Sequence, residues 1–435
     1  MSGSSCPVSK THVAPRIAVL NLGCRLNRVE MDLIAEDILD AGCKLVEEVS
    51  ADAIVVNTCA VTAEAEAKTR KAIRHAASLP QRPLVIATGC VASLFADELT
   101  ALAENVKVEA NKARVAGRLF NELGWSATAP EEGLWRMPTP TGRMRRGIKI
   151  QDGCNNRCTY CIVWKARGAA HSIDPARVVL SVQEAVAHGS REIVLSGINL
   201  GSYDWVGSKG HLRLPELIEL ILRQTDVGRL RLSSIEPLDI SDQLLSVMAS
   251  SGERVAPFLH ACLQSGCDET LRRMGRIYTT DQYRHVIAQA RSAVQALSVG
   301  CDVIVGFPGE TDKDFEESLS FCKEMGFARM HVFRFSRRPG TPAATMAGQV
   351  PPEVSADRSK RMRALARDMR VSAANAHIGQ VESVLVQAPG RGVTGGLFDI
   401  LLDRSLPVDT LVHVVPHRVV RPAIIDACPG TPDVP

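Results

Sequence analysis

No run of about 18 uninterrupted apolar residues occurs in this 435-residue chain, which removes a membrane-spanning helix from consideration. The first residues, Met1 to Pro7, lack the apolar core of a secretory signal. A cytoplasmic protein with no membrane partner is therefore expected. Strong charge of one sign is also missing: 51 basic and 48 acidic residues leave a net +3. Such a balance does not by itself select nucleic acid, so any RNA contact must come from a local patch. The region 376–430 contains no lysine at all. The length exceeds what one hydrophobic core normally spans, and about two to four domains are expected.

Cysteine is plentiful. Thirteen residues is an odd number, and in a reducing compartment clustered thiols bind metal or do redox chemistry more often than they pair. Cys154, Cys158 and Cys161 sit together in the run Asp152-Gly153-Cys154-Asn155-Asn156-Arg157-Cys158-Thr159-Tyr160-Cys161. Structural zinc takes four closed ligands, commonly as paired C-x2-C units, and no matching pair lies near. Three thiolates can hold three irons of a cubic 4Fe-4S cluster and leave the fourth iron open to a ligand.

Short apolar runs at 16–22, 53–57 and 83–88, each followed by a helix-like stretch such as Leu26, Val29, Leu33, Ile34 and Ile38, predict an open parallel α/β sheet over 15–123. Cys24, Cys59 and Cys90 each fall just past one of these runs, at the carboxyl edge where ligands of parallel sheets bind. Their wide spacing leaves two readings, a second cluster or ordinary buried cysteines. Residues 124–143, rich in proline and glycine, read as a linker. From 144 to 370, strand-like runs at 147–151, 192–196, 229–235, 258–263, 302–305 and 330–335 alternate with helical segments and predict a partial TIM barrel. Gly-punctuated apolar runs at 381–386, 397–402 and 411–415 predict a small antiparallel β-barrel over 376–430. The whole is an α/β multidomain chain.

The C-x3-C-x2-C spacing, with aromatic Tyr160 before the last cysteine, resembles the radical S-adenosylmethionine enzymes. The phrases Leu22-Gly23-Cys24, Asn57-Thr58-Cys59, Thr88-Gly89-Cys90, Leu263-Gln264-Ser265-Gly266 and the run 302–311 are similar to the methylthiotransferases of that superfamily. Those around Cys59, Cys154 and Asp302 resemble the branch acting on threonylcarbamoyladenosine of tRNA, beside the anticodon. The tail resembles the RNA-binding TRAM domain. The resemblance implies two 4Fe-4S clusters, one on Cys154, Cys158 and Cys161 that cleaves S-adenosylmethionine to a radical, and an auxiliary one on Cys24, Cys59 and Cys90 that carries the sulfur. It implies S-adenosylmethionine contacts from Tyr160, Gly197, Asn199, Ser234 and Glu236. The expected partners are tRNA, a reductant protein such as a flavodoxin or ferredoxin, and a sulfur donor. The alternatives are a methylthiotransferase acting on a different tRNA adenosine or, as in a sister branch, on an aspartate of a ribosomal protein, and a non-catalytic iron-sulfur RNA-binding protein.

The strongest basic patch is Arg358, Lys360, Arg361, Arg363, Arg367 and Arg370, against the single acid Asp368. It is either a solvated helix face or a grip on tRNA phosphates. Cys262, Cys267, Cys301 and Cys322 lie in or beside apolar runs and read as core residues.

Overall fold

The computed structural model describes residues 13–126, 144–208, 210–421 and 424–427; most of the expected linker, 127–143, lies outside them. The chain divides into two compact units, 1–59 with 64–134, and 60–63 with 135–435.

In the first unit, five strands lie in the order Lys44–Leu45, Arg16–Asn21, Ala53–Thr58, Leu84–Gly89, Val106–Val108, all parallel. The central strand Ala53–Thr58 is buried at every position, as a strand covered on both faces must be. Helix Arg25–Asp40 buries Met31, Ile34 and Ile38 against Ile17, Val55 and Ile86. Registers align Asn21 with Asn57 and Asn57 with Thr88. The loops carrying Cys24, Cys59 and Cys90 therefore leave one sheet edge from three adjacent strands, each about 4.8 Å from the next.

The second unit contains parallel rows Arg145–Lys149, Glu192–Ser196, Arg229–Leu232 and Ser234–Ile235, Phe258–Ala261, Ser298–Val305, Arg329–Arg334. Only Ser233 separates Arg229–Leu232 from Ser234–Ile235, so the two rows continue one wall. Among the described residues the first and last strands each pair on one side only, which leaves the wall open along one side as the strand count predicts. Side chains alternate along every strand. Ile193, Leu195, Leu230, Leu232, Leu259 and Val303 join the core beneath the covering helices, while Glu192, Arg231, His260 and Asp302 take the opposite, inward face. The turn at Gly306 and Gly309 leads into helix Asp312–Met325, whose Thr311 and Asp314 form a reciprocal cap. Cys301 and Cys322 lie in the core as read; Cys262, though buried, does not belong to it and belongs to a polar set described below.

The carboxyl-terminal region departs from an antiparallel barrel. Its six strands run Leu411–Val414, Glu382–Ala388, Arg391–Thr394, Asp399–Leu401, Ile424–Asp426, Arg418–Arg421, and the Asp399–Leu401 to Ile424–Asp426 step is parallel. After Asp399–Leu401 the chain visits the far edge at Leu411–Val414 before returning, so it re-enters in the same direction. Within this unit Glu192 accepts from Arg229 at 2.6 Å and Arg231 at 2.8 Å, and those arginines donate onward to Ser383 O, Thr394 O and Gly395 O. The sheet is thus tied to the floor of the barrel by charge-assisted bonds from two buried arginines.

Candidate active site

The loop Gly153 to Cys161 is pinned before its cysteines are considered. Cys154 N–H donates to Gly168 O at 3.1 Å, Thr159 N–H to Met274 O at 2.9 Å, and Thr159 Oγ1 to Arg273 O at 2.9 Å. Gly153 has φ +69°, and a Cβ there would collide with the Ala169 carbonyl. Gly153→Ala carries left-handed strain of about 1–3 kcal/mol and should displace Cys154; iron content and cluster absorbance of that variant are expected to fall, and full cluster occupancy would contradict this.

Cys158 is buried, and Cys154 and Cys161 are partly so. Burial pushes the Cys161 thiol up to about 12, and the charges of Cys158 and Cys154 add to the rise; burial raises Cys154 too, again with Cys158 adding. Burial disfavours the thiolates of Cys154 and Cys161, a cost that cationic iron offsets by displacing their protons. The sets whose donor atoms converge to within 4.8 Å, as one ion needs, lie elsewhere among the described residues: His260 with Cys262 and Asp302, and Cys267 with Asp314 and Glu317. The donor set therefore fits a cluster better than a single zinc.

Beside Cys158 is a residue that the sequence reading missed. Arg276 Nη1 donates to Cys158 Sγ at 3.2 Å, and its Nη2 contacts Glu236. Burial works against its charge, but Tyr160, Tyr278, Glu236 and Cys158 outweigh it and hold Arg276 ionised. A guanidinium on a ligand sulfur tunes the electron density that a cluster would have there. Only the fold brings this arginine, 118 residues on in sequence, to the cysteine.

Asn199 and Glu236 line a cleft of about 430 Å3 with Cys158, Asp239, Arg276 and Tyr278. Asn199 Oδ1 accepts from Glu236 N–H at 3.1 Å, and its Nδ2 donates to Asp239 at 2.7 Å. Gln151, also unassigned from sequence, receives Ile198 N–H at 2.9 Å and Asn199 N–H at 3.1 Å while donating to Gly153 O at 2.8 Å. It locks the cysteine loop to the next strand end. Gly197 lies against it, where a Cβ would meet Gln151 Oε1 at 2.9 Å. Ser234 is part-buried in the short strand before Glu236, and Tyr160 packs edge-on to Phe307, ring centres 6.4 Å apart. The cleft's size, acidic groups, amide and guanidinium fit a small zwitterionic cofactor such as S-adenosylmethionine.

The second cysteine set is organised by buried amides. Asn57 Nδ2 donates to Asn27 O at 2.6 Å, Asn27 Nδ2 to Thr58 O at 2.6 Å, and Thr58 Oγ1 to Thr88 O at 2.6 Å. These residues are fully buried, so their bonds fix the loops firmly. Cys24 caps helix Arg25–Asp40, Cys59 follows its strand, and Cys90 opens helix Cys90–Leu94. The three thiols, one exposed and two buried, present the S-rich, partly accessible donor set that a cluster with one open iron needs.

The basic patch forms one helix, Pro352–Asn375, but it is not one surface. Arg358 is buried, bonded to Glu310 and Asp312 at 2.7 Å each. Arg370 is buried too, donating to Ala328 O at 2.9 Å and Leu397 O at 2.8 Å over the Phe398 ring. Both are corrected from RNA contacts to structural ties, because their guanidiniums are buried and bonded to groups inside the fold. Arg361 pairs with Glu316 at 2.6 Å, Arg363 reaches Val332 O at 3.3 Å, and Lys360 and Arg367 face solvent.

Comparison with known proteins agrees with this arrangement. The Radical SAM superfamily matches residues 148–322 and the Uncharacterized protein family UPF0004 residues 16–110. The threonylcarbamoyladenosine tRNA methylthiotransferase MtaB of Thermotoga maritima is 34% identical over 85% of this chain and 86% of its own. The ribosomal protein uS12 methylthiotransferase RimO of Desulforudis audaxviator is 34% identical over 86% of each. In fold, the chain resembles the radical S-adenosylmethionine methyltransferase TsrM of Kitasatospora setae, with a TM-score of 0.54, 14% identity, and 76% and 77% of the two chains covered. With both cysteine sets placed at strand ends of the matched regions, the chain belongs to the radical S-adenosylmethionine methylthiotransferase family.

Proposed function

We propose that this enzyme inserts a methylthio group at C2 of threonylcarbamoyladenosine in tRNA, next to the anticodon. The observation that carries the reading is the pair of three-cysteine sets, each held by its own buried polar scaffold, in a chain 34% identical to an MtaB protein over most of both lengths. When bound, a cluster on Cys154, Cys158 and Cys161 would supply radical-forming cleavage of S-adenosylmethionine, and one on Cys24, Cys59 and Cys90 a place for the sulfur. The chain's own contribution is orientation: Arg276 holds Cys158 and Glu236 together, Gln151 fixes the Asn199 loop, and the Asn27, Asn57 and Thr58 bonds set the auxiliary loops.

The RimO relative at the same identity makes a ribosomal-protein aspartate the rival substrate. Cluster-loaded enzyme, reductant, sulfide and S-adenosylmethionine should convert a threonylcarbamoyladenosine stem-loop RNA and leave uS12 unchanged. The reverse outcome would assign the sister activity.

On the long helix, Lys360 and Arg367 face solvent and pair with no carboxylate among the described residues. Reversing both to Glu should weaken tRNA binding and lower the salt slope by about one to two. Unchanged binding would remove the helix from the RNA path.

A further inference from the structure

Barrel interiors are usually filled by branched apolar side chains. This one is charged. Glu192 at its floor is already bonded by Arg229 and Arg231, and Arg145 lies 3.9 Å away as a third cation on the same carboxylate. Burial pushes the Arg145 guanidinium down; Glu192 pulls it up, and Arg231, Arg229 and Arg329 press it further down. The interior thus holds positive charge beyond what Glu192 neutralises.

One level up, Arg329 pairs with no carboxylate among the described residues. Its Nε donates to His331 Nε2 at 3.3 Å, and the His331 ring lies 5.9 Å from that of His260. Asp302, two residues beyond Gly300 and in register with His331, is 3.2 Å from His260 Nε2. Registers set Ser234, His260, Gly300 and Arg329 side by side on four strands. Gly300 lets its neighbours pack close, since a Cβ there would meet the Phe258 ring at 2.9 Å and His260 at 3.2 Å. On the Ser234 strand this level lies two residues below Glu236, about 7 Å from the cleft mouth, and the Arg329 backbone stands three strands across from it, so that its long side chain must cover part of the distance. Arg329 and Asp302 are only partly buried and His331 is exposed, so a ligand can reach them.

We infer that Arg329, with His331 beside it, binds the carboxylate that the threonylcarbamoyl group carries, while the adenine ring lies above it at the cleft beside Cys158 and Glu236. This rests on the tRNA reading given above. An unpaired guanidinium suits a carboxylate, and an amino acid linked through a ureido group is long enough to reach from the base to this level. Asp302 is engaged by His260, and so leaves the charge of Arg329 available.

The test uses full-length, cluster-loaded protein and three anticodon stem-loop RNAs carrying adenosine, threonylcarbamoyladenosine, or its carboxylate methyl ester. Wild type should bind the threonylcarbamoyl RNA about tenfold more tightly than the other two. Arg329→Ala should lose that preference with its affinity for the adenosine RNA unchanged, and Arg329→Lys should recover part of it. A preference that survives in Arg329→Ala, or equal binding of acid and ester by wild type, overturns the inference. Product formation by wild type is scored separately on the threonylcarbamoyl RNA: its absence tells against the tRNA reading, whereas product with no carboxylate preference tells against Arg329 alone.

Discussion

Cys158→Ala should yield a folded chain that holds about four irons in place of about eight and makes no methylthio product. Cys158 is 6% exposed in a loop tied down by the Cys154, Thr159 and Gly168 backbone bonds, none of which uses the Cys158 side chain. The substitution therefore removes a donor and the Arg276 contact, not the loop. Cys322→Ala is the matching control, because Cys322 is also buried but packs in the helix-covered core. It should cost some stability, about 1 kcal/mol for a small cavity, and keep both iron and activity. Loss of iron in both variants would mean that core damage, not ligand removal, is being read. Product from the Cys158 variant would contradict the cysteine assignment itself.

Glu192→Ala is expected to be the most destabilising single change on the barrel floor. Glu192 and Arg231 are fully buried and Arg229 nearly so; deleting the carboxylate leaves two buried guanidiniums uncompensated, at a cost of about 3–5 kcal/mol. Since Arg229 and Arg231 also hold Ser383, Thr394 and Gly395 carbonyls, the carboxyl-terminal sheet should loosen first, seen as early proteolysis after the long helix. The pH dependence has a definite sign. Burial alone would raise the Glu192 carboxyl, but Arg231 and Arg229 draw it down to about 2. A carboxyl lowered on folding stabilises at pH values above its unfolded value, near 4.5, and that contribution fades as pH falls toward 2. Wild type should lose stability across that window more steeply than the variant. Equal acid profiles would show that the carboxylate does not hold the sheet.

Much of this was legible in the sequence because the chemistry sits in local patterns. The three-cysteine run carries its own spacing, and Cys24, Cys59 and Cys90 could be placed at strand ends because short apolar runs precede them. The parallel sheet and the open barrel followed from alternation of strand and helix signals. What was not legible depends on distant contacts. Arg276, Gln151 and Arg329 acquire meaning only when separate strands meet, and nothing local distinguishes them from surface residues. The basic helix misled for the same reason: a charge run looks uniform in one dimension, yet helical geometry turns Arg358 and Arg370 inward onto acids and carbonyls. The parallel step of the carboxyl-terminal sheet was hidden because strand runs reveal existence, not pairing order.

The most direct measurement of the central claim is mass spectrometry of tRNA nucleosides from cells with the gene, without it, and complemented by the Cys158→Ala form. 2-Methylthio-threonylcarbamoyladenosine is expected in the first, and unmodified threonylcarbamoyladenosine should accumulate in the other two. An unchanged nucleoside profile in all three would contradict the claim.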